Sequence, residues 1–394
     1  MVARNMKKVM STSTGQTKKG IHLTLAILYG APFSLFTGRA RSYLIKAHVP
    51  YRETMPNTEH YIKNVAPAAG NRQSMPTLEL PGGEIIRDGV AIIDHFENKS
   101  GHGFSPGTPK QRVINRLLDV IGAEGLLRPA MHYRWNFPEQ NLEFLRFHFQ
   151  TAMPQGPGRE ERAEKAMNRM RGAGQAFGAV PETFDTIETH YIELLNVLDS
   201  HFSEHPYLLG GKPSIADFGM LAPLYAHLGR DPKPLSLMQE HAIHTFRWVE
   251  RMNRPEHDVG EFETQDGEYL ASDEIPASLV NVLKHIAIDF VPETRAAAVC
   301  INNWISEQDN LEPGTECARG VGMANFQLTG VTINALAQPF RFYLLKRVQD
   351  EFESLDKQQQ DEVTSLLEAC QMTDILKMKL SREIGRQNNL EVWL

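Results

Sequence analysis

Residues 27–44 read ILYGAPFSLFTGRARSYL. They complete LTLAILY, an apolar run that reads as a buried strand, and TGRARSYLIKAH then sets apolar or small residues on one helical face. Gly30-Ala31-Pro32 interrupts both patterns and marks a turn. Ser34 therefore stands at the mouth of a helix, and the first acidic residue of the chain is Glu53.

The remainder of 21–100 extends this strand–turn–helix into an α/β unit. YRET is a short strand, and TLEL and EIIR flank Pro81-Gly82-Gly83 as a hairpin. GVAIIDHFENK is an amphipathic helix. The order β-α-β-α-β-β-α predicts a small mixed sheet with helices against it. GHGFSPGTP (101–109) is a Gly/Pro linker, after which helical periodicity dominates. PKQRVINRLLDVIGAEGLL, TFDTIETHYIELLNVLDSHF and MQEHAIHTFRWVERM all carry it, with PQGPGREER as a loop between the first two. Ser214-Ile-Ala-Asp217 precedes an apolar run as a capping box, a structural role for Asp217. Beyond Pro255 an acidic irregular stretch leads to helices in PASLVNVLKHIAIDFV, PETRAAAVCINNWISEQ, QPFRFYLLKRVQDEFESL and QQDEVTSLLEACQM, with VGMANFQLTGVTIN as a short hairpin.

Composition narrows the function classes. The 394 residues carry a net charge of −7, so bulk charge gives no sign of a nucleic-acid partner. No segment reaches the roughly 18 apolar residues of a membrane span. Three cysteines without CxxC spacing, Cys300, Cys317 and Cys370, argue for a reducing compartment, and a cytoplasmic location is expected. Thiol chemistry near Ser34 would need a sulfur from elsewhere. Residues 1–20 are basic and poor in large apolar groups, and read as a mobile arm.

Four motifs in this order resemble the cytosolic glutathione transferase family: ILYGAPFSLFTGRARSYL, Ser74-Met75-Pro76-Thr77-Leu78, RDGVAIIDHFE and PYLLGGKPSIADF. The resemblance covers about 21–255. It implies an α/β thioredoxin-like domain (21–100) and an all-α domain (108–255), with 256–394 as a mainly helical extension. It also implies glutathione as co-substrate, a small electrophile, no metal and a homodimer. Ser34 would then face the glutathione sulfur, with Tyr29 as rival donor. Met75 before a cis Pro76 would offer its backbone to the tripeptide. Asp88 and Gly89 would meet the γ-glutamyl end, though the family usually has Glu or Gln followed by Ser or Thr there. Arg72 and Gln73 could reach the glycyl carboxylate. Met131, Tyr133, Arg134 and Trp135, in the helix that opens the second domain, are candidates for the electrophile pocket or for core packing.

The energetics require no protein base. Half-ionising a cysteine thiol at pH 7 takes roughly 2 kcal/mol. A hydrogen bond to a charged acceptor contributes about 1.5–3 kcal/mol, and a helix N-terminus about 0.3–1 kcal/mol. One hydroxyl at one helix end suffices. The alternative class is a non-catalytic binding or assembly module on the same fold. A thiol–disulfide reductase is disfavoured because no cysteine lies near Ser34. His201-Phe-Ser-Glu204-His205 matches a zinc-protease pattern by letters, but it ends at Pro206 and is read as a helix end.

Overall fold

The computed structural model describes residues 25–394 except 73, 102, 257–259 and 264–266, so the arm expected over 1–20 lies outside the described residues. β1 (Ala26–Tyr29) pairs parallel with β2 (Tyr51–Thr54) and antiparallel with β3 (Thr77–Glu79). β3 pairs antiparallel with β4 (Ile85–Arg87), giving the order β2-β1-β3-β4. A parallel pair needs a crossover, and α1 (Leu35–Lys46) supplies it. The Pro-Gly-Gly turn closes the β3–β4 hairpin with Gly83 at φ +83°, a conformation natural to glycine. α2 (Gly89–Ser100) follows β4.

The helical block runs α3 (Pro109–Val120), α4 (Leu127–Trp135), α5 (Pro138–Ala152), α6 (Arg159–Ala176), α7 (Phe184–Glu204), α8 (Ile215–Ala226), α9 (Pro232–His241) and α10 (Ile243–Met252). Only the front of PQGPGREER is irregular; the helix starts at Arg159, where the Gly/Pro residues end and acidic side chains suit the first turn. The Ser214–Asp217 box forms as expected. Asp217 accepts from the Ser214 N–H and hydroxyl at 2.8 Å each, and from Leu208 N–H and Trp248 Nε1 at 3.0 Å each. α8 packs on α1 and α3. Just after α3, a Cβ on Gly122 would lie 2.2 Å from the Gly219 carbonyl, so only hydrogen fits between the two backbones.

The extension differs from expectation at Pro292. Two helices were expected there; α11 runs unbroken from Ala277 to Ser306. The proline leaves the Ile288 carbonyl without its helical donor, but Ile288 is exposed and water can serve that oxygen. β5 (Met323–Leu328) and β6 (Val331–Leu336) form the expected hairpin, with Thr329 and Gly330 at positive φ in its turn. α12 (Pro339–Glu353) and α13 (Lys357–Ala369) lie against α3. A second hairpin, β7 (Ile384–Gln387) and β8 (Leu390–Trp393), turns on Asn388-Asn389, both at positive φ. Trp393 is fully buried and stacks on Trp304 at 5.7 Å. One apolar core runs from Leu28 through α3 and α8 to Trp393. Buried charges cross the same seam. Arg341 donates to the Glu124 carbonyl at 2.9 Å and pairs with Glu293 at 3.1 Å. Burial pushes the Glu124 carboxyl up to about 7, with Arg341 opposing.

Candidate functional site

Gly30 lets the loop after β1 pass against α1, because a Cβ there would meet Thr37 at 2.2 Å. The Gly30 N–H bonds the Thr54 carbonyl at 2.9 Å, and the Ala31 carbonyl accepts from Ser34 N–H at 3.1 Å. Ser34 is the N-cap of α1, extended at φ −92°, ψ 126°. Its hydroxyl oxygen accepts a long bond from Thr37 N–H, 3.4 Å, and its proton is given to no described residue. It is half-buried. Glu53 does not oppose a nearby anion, because Arg41 grips it at 2.6 and 2.7 Å while also donating to the Ala31 carbonyl at 3.2 Å.

The Met75–Pro76 bond is cis. Met75 N–H and C=O form no hydrogen bond with a described residue. Its side chain packs in a cluster with Ala31, Phe33, Met131, Trp135 and Phe149. Phe33, the residue before Ser34, belongs to this cluster, and two of the four pocket candidates, Met131 and Trp135, are buried in it as core residues. Trp135 Nε1 is buried with no hydrogen-bond partner.

Tyr133 and Arg134 do not join that patch. Tyr133 is buried in the main core, stacked on Phe137 at 5.3 Å and tilted against Tyr191 at 4.7 Å. Arg134 is 4% exposed and donates to Asp231 at 2.6 and 2.9 Å, to the Ala226 carbonyl at 2.8 Å and to the Phe33 carbonyl at 2.9 Å. With its donors so engaged it fixes the residue preceding Ser34 instead of meeting a ligand. Tyr29 is also directed elsewhere. It lies in a separate cluster with Tyr61 and Val65 and donates to Glu79 at 2.8 Å. Burial and Glu79 push its phenol up, away from ionisation.

At the other end, Asp88 sits at φ +70° and caps α2 by accepting from Val90 and Ala91 N–H at 2.7 and 3.0 Å. Its second oxygen has no aligned hydrogen-bond donor but is ion-paired with Arg386. Gly89 is buried beneath it; a Cβ there would come within 3.1 Å of the Phe36 carbonyl. Arg72 pairs with Glu316, donates to the Cys317 carbonyl, and reaches Glu391 at 3.1 Å. Gln73 lies outside the described residues. Arg386 and Glu391 were not read from the sequence. The paired asparagines at 388–389, between alternating apolar residues, are a hairpin signal that would have located them.

No protein thiol substitutes for a ligand sulfur. Cys300, Cys317 and Cys370 are unpaired, and burial pushes Cys317 up to about 12 and Cys370 up to about 11. His201 of the zinc-protease match is buried and bonded to Ser278. Ligand atoms of His190, Glu193 and His285 lie within 4.8 Å of one another, remote from Ser34 in the chain and the one such trio among the described residues.

Residues 28–106 match the family described as glutathione S-transferase, N-terminal domain, and residues 182–256 match glutathione S-transferase, C-terminal domain. The sequence matches no curated protein. Among solved structures, a GST-like protein from Pseudomonas syringae is 18% identical, covering 58% of this chain and 67% of its own, with a TM-score of 0.40. Glutathione transferase GSTFuA3 from Phanerochaete chrysosporium is 13% identical, covering 59% and 97%, with a TM-score of 0.42. The β-etherase LigF from Sphingobium sp. strain SYK-6 is 16% identical, covering 60% and 98%, with a TM-score of 0.39.

Proposed function

Because the chain belongs to the glutathione transferase family, we propose that it activates a thiol beside Ser34 for attack on an electrophilic small molecule. The observation that carries this reading is the Ser34 hydroxyl, half-buried at the N-terminus of α1 with its proton claimed by no described residue. A thiolate sulfur there accepts the hydroxyl proton in a hydrogen bond and faces the positive end of α1. The sulfur lone pair forms the new S–C bond, and the leaving group departs with the electron pair of the bond that breaks; the thiol proton goes to solvent. Met75 N–H and C=O can pair with a peptide group next to the sulfur, as an added strand would.

The test is the rate of glutathione with a generic aromatic halide, the thiol supplied at millimolar concentration. Ser34→Ala removes a bond of about 1.5–3 kcal/mol to the anion, so the rate at pH 7 falls by about 10- to 150-fold. Unchanged turnover in Ser34→Ala overturns the assignment. A second reading, a non-catalytic binding module, is favoured by one observation: Arg386 and Glu391 already engage Asp88 and Arg72. It predicts no wild-type rate above buffer with any thiol.

A further inference from the structure

The β7–β8 hairpin lies on the part of the first domain where the charged end of the tripeptide was expected. Asn389 at its turn accepts from Arg87 N–H at 3.1 Å and donates to the Ile85 and Ala68 carbonyls at 2.9 and 3.1 Å. Leu390 sits over Gly70, where a Cβ would come within 2.6 Å of it. Glu391, 3% exposed, accepts from Arg87 at 2.6 and 2.7 Å and from Arg386 at 2.7 Å, and lies 3.1 Å from Arg72. Burial pushes the Glu391 carboxyl up, but Arg87 and Arg386 outweigh it and hold it below the usual carboxylate range.

Each carboxylate of this cluster already has an arginine partner: Asp88 has Arg386, Glu316 has Arg72, and Glu391 has Arg72, Arg87 and Arg386, with Arg319 close enough to repel Arg72 and Arg87. An incoming ammonium at Asp88 would displace a guanidinium, and an incoming carboxylate at Arg72 would displace Glu391 and Glu316. Neither exchange gains a contact that is not already made. The Ser34 hydroxyl and the Met75 amide pair are, by contrast, unclaimed by any described residue.

Resting on the reading of Ser34 as the thiolate donor, we infer that Arg386 and Glu391 determine which thiol this chain takes. Arg386 stands at Asp88 in the place of the γ-glutamyl ammonium, and Glu391 at Arg72 in the place of the glycyl carboxylate. The co-substrate is therefore a thiol recognised through one peptide amide beside its sulfur, carrying neither an ammonium for Asp88 nor a carboxylate for Arg72. Arg386 is the specificity residue, because it alone of the cluster's guanidinium groups pairs with Asp88.

Calorimetric titration of the full chain at pH 7 with two probes, glutathione and the neutral N-acetylcysteine amide, tests this. Wild type binds the two within about threefold of each other. Arg386→Gln keeps most of the side-chain stem, removes the charge and frees Asp88. It tightens glutathione by about tenfold or more and leaves N-acetylcysteine amide within about twofold. Arg386→Ala, which opens more space, repeats the measurement should the glutamine itself bond Asp88. A wild-type preference for glutathione of about tenfold or more, or an unchanged ratio in both variants, overturns the inference and leaves the Ser34 reading standing. Absence of binding by both thiols in every chain overturns the Ser34 reading and the inference with it.

Discussion

Arg134 offers the sharpest separation between a ligand-binding and a positioning role. Arg134→Met keeps an unbranched stem of similar bulk and deletes the guanidinium fork. Asp231, fully buried, then loses both of its hydrogen bonds from that side chain, at 2.6 and 2.9 Å. Burial already raises the Asp231 carboxyl, and Arg134 is the largest influence that opposes it. Removing one partner of a buried pair costs about 3–5 kcal/mol. The Phe33 and Ala226 carbonyls lose donors too, but such losses within one network do not add. We expect about 3–5 kcal/mol in urea-induced unfolding. In Arg134→Met/Asp231→Asn the stranded charge is gone, and about 2 kcal/mol or more returns. A single-variant loss below about 1 kcal/mol, together with reduced turnover, would refute the reasoning and restore Arg134 as a group that meets the reacting anion.

Glu124, held at about 7 when folded against an ordinary 4.5, binds a proton more tightly in the folded state. Its contribution is whole below pH 4.5 and is lost as pH rises through 7, a loss of about 3 kcal/mol. Glu124→Gln therefore stabilises the chain at pH 8 and not at pH 4.5; identical pH slopes in chemical unfolding count against the assignment. Gly122→Ala drives a methyl into the Gly219 backbone and lowers stability by about 3 kcal/mol, and a melting temperature equal to wild type would contradict the close approach.

What could be read in advance was local. The strand, Gly-Ala-Pro turn and Ser34-capped helix are specified within one short stretch. The Pro-Gly-Gly turn and the Ser214–Asp217 box likewise carry their partners a few residues away. What escaped depends on distant partners. Arg134 and Asp231 are 97 residues apart, and nothing beside Arg134 says that an aspartate will claim it. Arg386 is an unremarkable polar residue until Asp88 is placed next to it. Tyr29 was separable only by strand register, since alternate side chains leave a sheet on opposite faces. Pro292 misled because helix-breaking is a propensity, and the packing of α11 along α7 and β5 prevails over it.

β4 is the outermost strand of its sheet, and its free edge is closed by Asn389, 302 residues downstream of Arg87. At a synthesis rate of about 5–20 residues per second, that separation amounts to roughly 15–60 s on the ribosome. Throughout that interval the first domain carries an open β-edge, with two arginines awaiting their glutamate. Its maturation is thus set by translation of the distal segment, and a nascent chain stalled before the late hairpin exposes a surface suited to chaperone capture.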